Sequence, residues 1–241
     1  MSVKVQKRPK ARNRKTTQSY SSYYYVNSKN RLYAHQSKIE RFFDLILASI
    51  TVVLLGLLFP FIYLGIKCSS RGPVIFKQKR TGRFDIPFTC YKFRTMHVLS
   101  NYNPKNVITD DGETVVVTEK NDPRVFWFGS LLRKTNLDEL PQIINILKGD
   151  MSLIGPRPYE VSECEYWNNQ LDGYHIRYWV KPGLSGLAQV QGYRGGTRDV
   201  EKMRKRLDCD IWYVNNRTLL LDIKIIFKTI KQMFYMNTNA H

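Results

Sequence analysis

Along the chain of 241 residues, apolar positions form one long block and several shorter periodic runs. The block, Phe42 to Ile66 (FFDLILASITVVLLGLLFPFIYLGI), holds a single charge, Asp44, in 25 residues. About 20 such residues cross the hydrocarbon core of a bilayer, so the block reads as a membrane helix. A helix buried in a soluble core would carry a polar stripe, and here only the ends are polar. Pro60 lies inside the block, where its missing N–H and its ring favour a kink. Two geometries follow: a helix broken near Pro60 that enters one leaflet and returns, or a straight span that tolerates the proline.

Shorter patterns follow the block. Val74 to Phe76 and Phe88 to Phe93 are β-prone runs separated by a turn bearing Gly82. In a strand, Lys92 and Arg94 share one face and Tyr91 and Phe93 the other. Residues 97–121 are polar and irregular apart from Val115-Val116-Val117, and read as a surface loop. Helical spacing returns from Arg124 to Thr135, from about Glu139 to Leu147 with Gly149 as the stop, and from Glu160 to Tyr178. Residues 181–197 read as a Gly-rich loop. A last helix, about Leu219 to Phe234, sets Leu220, Ile223, Ile226, Phe227 and Ile230 along one side and Lys224, Lys228 and Lys231 on the other. That pattern suits packing on a core or lying in a membrane interface. The expected fold class is α+β, mostly helical: a membrane-inserted N-terminal helix, re-entrant or spanning, then a small domain with interfacial amphipathic helices.

Charge sharpens this picture. The net charge is +18, and residues 1–41 hold eleven Lys/Arg against Glu40 alone. Such an excess points to a polyanionic partner: nucleic acid, a phosphorylated substrate or anionic lipid. The expected division is a basic, Ser/Tyr-rich disordered tail over 1–37, a membrane helix over 38–67 and a folded domain over 68–241. Lys38 and Arg41 precede the apolar block, and Lys67, Arg71, Lys77, Lys79 and Arg80 follow it, so the positive-inside rule assigns both flanks to the cytoplasm. The cysteines, Cys68, Cys90, Cys164 and Cys209, form no CxxC, and neither a zinc site nor a disulfide framework is indicated.

Candidate chemistry gathers in four places. Asp138-Glu139 stands before Leu140-Pro141, and a proline in a first turn pins a helix start near Asp138. The pair is then either an N-cap with a first-turn acid, or a carboxylate kept ionised for nucleophilic attack or metal binding beside Arg133 and Lys134. In Gly155-Pro156-Arg157-Pro158 two prolines stiffen the turn that delivers Arg157, which either faces solvent or offers a fixed fork to a phosphate. Lys92 and Arg94 add cations on a strand. Lys181-Pro182-Gly183 and Gly192-Tyr193-Arg194-Gly195-Gly196 put further cations on loops that allow close phosphate approach. Asp110-Asp111-Gly112-Glu113 reads as solvated charge.

Taken in order, these residues closely resemble the bacterial sugar transferases, the monotopic phosphoglycosyl transferases that start glycan assembly on polyprenol phosphate. The resemblance runs from about Lys38 to Tyr235. It rests on the apolar run with its proline, Gly72-Pro73-Val74-Ile75-Phe76-Lys77-Gln78, Tyr91-Lys92-Phe93-Arg94-Thr95-Met96 and Asn121-Asp122-Pro123-Arg124. It continues through Leu132-Arg133-Lys134-Thr135-Asn136-Leu137-Asp138-Glu139-Leu140-Pro141-Gln142, the run Gly149 to Pro158, and Lys181-Pro182-Gly183-Leu184-Ser185-Gly186. The family's membrane break is often Ser-Pro; here it is Phe59-Pro60.

The resemblance implies transfer of a sugar 1-phosphate from a UDP-sugar to undecaprenyl phosphate, with release of UMP, to initiate exopolysaccharide, capsule or O-antigen synthesis. It implies Asp138 as nucleophile, Glu139 as Mg²⁺ ligand, and Arg133, Arg157, Arg194 and Lys92 as phosphate or nucleotide contacts. Phe42, Pro60 and Ile66 mark the membrane segment. Gln191-Gly192-Tyr193-Arg194-Gly195 resembles the C-terminal unit of the long hexose-type enzymes and favours glucose 1-phosphate, with galactose or an N-acetylhexosamine as alternatives. The implied location is the bacterial inner membrane, with the catalytic domain facing the cytoplasm. The expected partners are the two substrates and membrane lipid, not nucleic acid; a homodimer and contacts with other polysaccharide-synthesis enzymes stay open. Readings from other classes are a membrane-tethered nucleic-acid binder using the tail's tyrosines, or an inactive scaffold.

Overall fold

The computed structural model describes residues 36–98, 106–108, 114–116, 122–193 and 199–234. The tail over 1–35 lies outside them. The first element, α1 (Lys38–Ser69), is the apolar block extended at each end. The Glu40 N–H donates to Ser37 Oγ at 3.1 Å and the Ser37 N–H to Glu40 Oε2 at 2.8 Å, a reciprocal cap that fixes where the helix begins. Its 32 residues rise about 48 Å at ~1.5 Å each. Helical structure runs through Pro60 without a break. A proline removes only the bond its own N–H would make, here to the Gly56 carbonyl, and the adjoining turns keep theirs.

One stripe of α1 is buried: Asp44, Ala48, Ile62 and Ile66. The opposite side leaves Ile50, Val53, Leu57, Phe61 and Leu64 exposed. The helix is long and apolar enough to cross a membrane, and an exposed apolar face of this extent calls for lipid or a partner rather than water.

Beyond it, β1 (Ile75–Thr81) and β2 (Pro87–Phe93) form the expected hairpin, antiparallel from Ile75 opposite Phe93 to Thr81 opposite Pro87. The turn passes through Phe84 and Asp85 at φ 56° and 65°. The stretch read as a loop contains a second small antiparallel pair, β3 (Asn106–Ile108) with β4 (Thr114–Val116). Part of the valine run forms β4, as β-branched residues favour. The acidic residues Asp110 to Glu113 lie outside the described residues.

Next come α2 (Trp127–Lys134), a 3₁₀ turn over Leu137–Gln142, α3 (Ile143–Lys148) and β5 (Ser152–Ile154). The helix expected over 160–178 is two pieces, α4 (Val161–Gln170) and a 3₁₀ segment Tyr174–Trp179, parted where Gly173 takes φ 78°. The expected Gly-rich loop holds β6 (Gly183–Ser185), parallel to β5, and a short α5 (Leu187–Val190). Then α6 (Val200–Asn216) fills a stretch where the sequence reading placed no element. Asp199 caps it, accepting the Glu201 N–H at 2.9 Å.

The last helix, α7 (Leu219–Phe234), matches its expected bounds, but the face it buries is not centred on the expected stripe. Ile225 turns into the core at 1% exposure, whereas Leu220, Phe227 and Ile230 remain exposed. Both expected roles of this helix are therefore accommodated: one side packs on the core and another leaves an apolar face to the surroundings.

Among the described residues the core falls into three clusters. The largest gathers Trp167, Tyr174, Met203, Leu207, Tyr213 and Ile225 from α4, α6, α7 and the 3₁₀ segment. The second joins Ala48 of α1 to Phe88, Cys90, Ile143, Ile146 and Met151. The third joins Ile62 and Ile66 of α1 to Val74, Phe93, Phe126 and Leu132. Thus α1 supplies two cores, and β2 feeds both.

Polar contacts fasten α1 where it meets α3 and β5. Arg41 donates to the Ile146 and Leu147 carbonyls at 2.6 and 3.0 Å, at the open C-terminal end of α3. Buried Asp44 accepts the Ser152 hydroxyl at 2.8 Å and the Leu153 N–H at 3.1 Å. The charge inside the apolar block is thus a docking group. Replacing Asp44 with Ala leaves these two donors without their carboxylate, and the expected loss is about 1–3 kcal/mol. Unfolding in a fixed detergent measures it; an unchanged midpoint would mean that Asp44 is dispensable for docking.

Candidate active site

Lys92 reaches the site because of its place on β2. Phe88 and Cys90 alternate into the second core, and two residues on, the same face leaves the core's edge. There Lys92 Nζ meets Glu139 Oε1 at 2.8 Å. Arg94, on the same face by sequence, parts company with it. Its guanidinium donates to Ser70 O at 2.8 Å and to Pro73 O, and so clamps the end of α1. Buried Asn145 fixes β2 from the side, accepting the Tyr91 N–H at 3.1 Å and donating to Thr89 O at 2.7 Å.

Arg133 arrives from the last turn of α2. Its Nε donates to Thr95 Oγ1 at 2.9 Å. This close approach needs Gly129, because a Cβ there would run into the Thr95 backbone. The chain then reverses at Asn136, at φ 56°, and enters the 3₁₀ turn that carries Asp138 and Glu139. The expected N-cap role for Asp138 is not what the structure shows. Asn136 occupies the cap position without a side-chain cap bond, and α3 begins only at Ile143. The tighter 3₁₀ winding accommodates Pro141, which is buried within the turn.

Arg157 comes in from the Gly-Pro-Arg-Pro turn. That turn lies against β6 so closely that a Cβ on Gly155 would meet the Lys181 carbonyl and one on Gly183 would meet Gly155. From it the guanidinium grips Glu139 with both arms, Nη1 to Oε2 at 3.0 Å and Nη2 to Oε1, the fork that only arginine offers. The structure therefore brings together Asp138, Glu139, Lys92 and Arg157, with Arg133 close enough to act on Asp138 electrostatically. Arg194 lies outside the described residues. Phe42, Pro60 and Ile66 are on α1; Phe42 and Pro60 are exposed and Ile66 is in the third core.

The two neighbouring carboxylates have different electrostatic environments. Burial pushes Glu139 up, but Arg157 and Lys92 overcome it and hold its carboxyl well below the usual range. Asp138 has no such partner. Burial and then the Glu139 charge raise it to about 6, against the pull of Lys92, Arg133 and Arg157. Burial lowers Arg133. The site thus holds one neutralised carboxylate and one without a hydrogen bond among the described residues.

The donor set suits a hard divalent cation. Magnesium binds through one or two carboxylates together with substrate phosphates and water. Glu139 Oε2 receives only one described bond, from Arg157, and the neighbouring Asp138 receives none. No group of three or more His, Cys, Asp or Glu forms a larger metal centre among the described residues.

The bacterial sugar transferase family model matches residues 35–236, most of the chain. The chain belongs to the bacterial sugar transferase family. The match takes in every residue of the site just described. Among relatives, it is 41% identical over 196 residues to the UDP-glucose:undecaprenyl-phosphate glucose-1-phosphate transferase of Escherichia coli (strain K12), covering 81% of this chain and 40% of that protein. It is 40% identical over 194 residues to the protein of the same name from Caulobacter vibrioides, covering 80% and 69%. It is 40% identical over 199 residues to the undecaprenyl-phosphate galactose phosphotransferase of Salmonella typhimurium, covering 80% and 40%. The chain spans about two fifths of the length of several of these relatives.

Within this sugar transferase site, sequence reasoning missed Thr95 and Asn145. A polar residue between Ile144 and Ile146 was the available signal for Asn145; Thr95 had none. The electrostatics of the pair are testable. Glu139→Gln removes a negative charge beside Asp138 and frees two cations to face it, so Asp138 titrates below about 6, toward the ordinary range near 3.9. Carboxyl ¹³C titration of the two proteins checks this, and an unmoved Asp138 would refute the assigned coupling.

Proposed function

We propose that this chain transfers a sugar 1-phosphate from a UDP-sugar to undecaprenyl phosphate in two displacements at Asp138. The observation that carries the reading is the unequal carboxylate pair: Glu139 bound by Lys92 and Arg157, and Asp138 beside it without a hydrogen bond among the described residues. In the first step an Asp138 oxygen attacks the sugar-bearing phosphorus, the bond to the bridging oxygen breaks and UMP leaves. In the second, an oxygen of the lipid phosphate attacks the same phosphorus, and the bond to Asp138 breaks. One site thereby serves a soluble donor and a lipid acceptor in turn.

A carboxylate attacking an anionic diphosphate must overcome like-charge repulsion. Arg133, Arg157 and Lys92 offset it, and Arg194 is assigned to the phosphates with them. Magnesium, held by Glu139 and the donor diphosphate, supplies further charge neutralisation when bound. Glucose is the favoured sugar, because relatives at about 40% identity are named for glucose-1-phosphate transfer. Galactose and N-acetylgalactosamine are the alternatives, after the names of others. A nucleic-acid-binding or scaffold role leaves the paired carboxylates and their cations unexplained.

The labelling experiment is direct. With donor labelled at the β-phosphate and no acceptor, the label appears on the peptide containing Asp138. Asp138→Asn abolishes labelling and lowers turnover by about 10³-fold or more. Only the ionised carboxylate attacks, so labelling rate falls as pH drops through about 6, the value to which burial and Glu139 raise Asp138. Intersecting initial-rate lines with no protein-bound label would favour direct transfer instead.

The location we propose draws its support from the same assembly. Asp44 and Ala48 of α1 pack on α3 and β5, and Ile62 and Ile66 pack on β2 and α2, all within one domain. A helix unbroken at Pro60 and held to one domain near both ends supports an interfacial placement, with both flanks on one side, over a perpendicular span. Exposed Leu220, Phe227 and Ile230 on α7, flanked by Lys224, Lys228 and Lys231, suit the headgroup layer of the same membrane. The membrane is the bacterial inner membrane, and the domain faces the cytoplasm. In intact cells an impermeant thiol reagent should label neither Ser2→Cys nor exposed Cys68, and should label both after lysis. Labelling of only one in intact cells would establish a span.

A further inference from the structure

We infer that Arg177 is a positioning residue for this reaction, acting through Arg157; the inference rests on the reading of Arg157 as a phosphate-binding group. Arg157 is held by its side chain to Glu139, but its direction is set by the backbone from which it starts. The turn is tied to the domain on both sides of it, by the Gly155 N–H to Ser185 O at 2.9 Å, the Gly183 N–H to Pro156 O at 3.0 Å and Arg80 to Pro158 O at 2.6 Å. At Arg157 itself the tie is Arg177, whose Nη2 donates to the Arg157 carbonyl at 2.8 Å.

Arg177 is itself fixed on several sides. It is 2% exposed, and its guanidinium carbon lies 4.6 Å from the Tyr159 ring centroid and 4.9 Å from that of Tyr174. Nη1 donates to Tyr174 Oη at 2.6 Å, and Nη2 pairs with Asp210 of α6 at 2.9 Å. Tyr159, two residues after Arg157, is held in turn by Arg206, which donates to its hydroxyl and, through Nε, to the Tyr193 carbonyl at 3.0 Å. One buried network thus connects the Arg157 turn, the 3₁₀ segment, α6 and the loop that reaches Tyr193. A guanidinium can keep these partners together because its donors diverge in a plane; an ammonium cannot.

A buried cation serving only stability needs its counter-ion. This one also spends a donor on the carbonyl of the residue that grips Glu139. Loss of that bond frees the Arg157 carbonyl while the flanking residues stay tied, so the shift falls on Arg157, and displacements on the order of 1 Å at a reacting centre cost about 10²-fold.

The test compares Arg157→Lys, Arg177→Lys and the double variant, assayed with UDP-glucose and undecaprenyl phosphate after quantifying folded protein. Arg177→Lys should raise the donor KM and lower kcat/KM for the donor by about 10- to 100-fold. Mere loss of folded protein lowers apparent kcat and leaves KM alone. In the Arg157→Lys background the same change should add little, because its route to the donor is already cut. Should Arg177→Lys fail to fold, Asp210→Asn, which keeps the guanidinium and removes its ion pair, takes its place in the cycle. Near-normal turnover by Arg157→Lys overturns the reading of the site and the inference with it. An impaired Arg157→Lys beside an unchanged donor KM in the Arg177 or Asp210 variant, or effects that multiply in the double variant, overturns the inference alone.

Discussion

The docking of one apolar helix along the face of the domain governs the rest of this structure. Ala48 closes the second core, and Ile62 and Ile66 close the third. The turn that carries Asp138 and Glu139 lies between them: Leu137 and Leu140 pack on the third core, and Ile143, directly after the turn, enters the second. A displacement of α1 would therefore be felt at both anchors of the turn, since packed interiors transmit strain rather than absorb it. Asp44 sets the register. A carboxylate in an apolar helix is costly unless paired or hydrogen-bonded, and besides Gln36 just before the helix its donors lie on one short strand, at Ser152 and Leu153. Sliding the helix by a turn would strand that charge.

The same economy shapes the site. Two adjacent carboxylates half-buried in one pocket repel each other, and the fold resolves this by giving the cations to one of them. Lys92 and Arg157 converge on Glu139 from a strand and a turn that are far apart in sequence. Asp138 is left with a raised affinity for its proton and with no hydrogen bond among the described residues. A more basic carboxylate is also a better nucleophile once ionised, and at neutral pH a group titrating near 6 is largely ionised.

The proposed placement at a membrane surface rests on where apolar area remains after the cores are filled. The outer side of α1 and the Leu220–Phe227–Ile230 face of α7 have no partner among the described residues. The lysines beside the second face fit a headgroup layer, where a hydrocarbon stem can lie along the interface and an ammonium can meet phosphate. This fits a reaction in which one substrate is a lipid.

Composition and periodicity alone disclosed the apolar helix, the β1–β2 hairpin and the bounds of α7, because each is a local pattern repeated over several turns or strand pairs. The ordered motifs disclosed the family, and with it Asp138, Glu139, Lys92, Arg133 and Arg157 as the residues to examine. Sequence could not show that Asp138 is no N-cap, since that depends on Asn136 adopting a left-handed conformation. It passed over α6, whose buried positions, such as Met203, Leu207 and Ile211, are masked by the charged residues between them. Nor could it separate Lys92 from Arg94, adjacent on one strand face, of which one meets Glu139 and the other clamps α1. Which cation pairs with which carboxylate, and what Asp44 and Arg177 hold in place, was decided by tertiary structure alone: these contacts join segments that only packing brings within hydrogen-bond reach, and a local pattern carries no record of a distant partner.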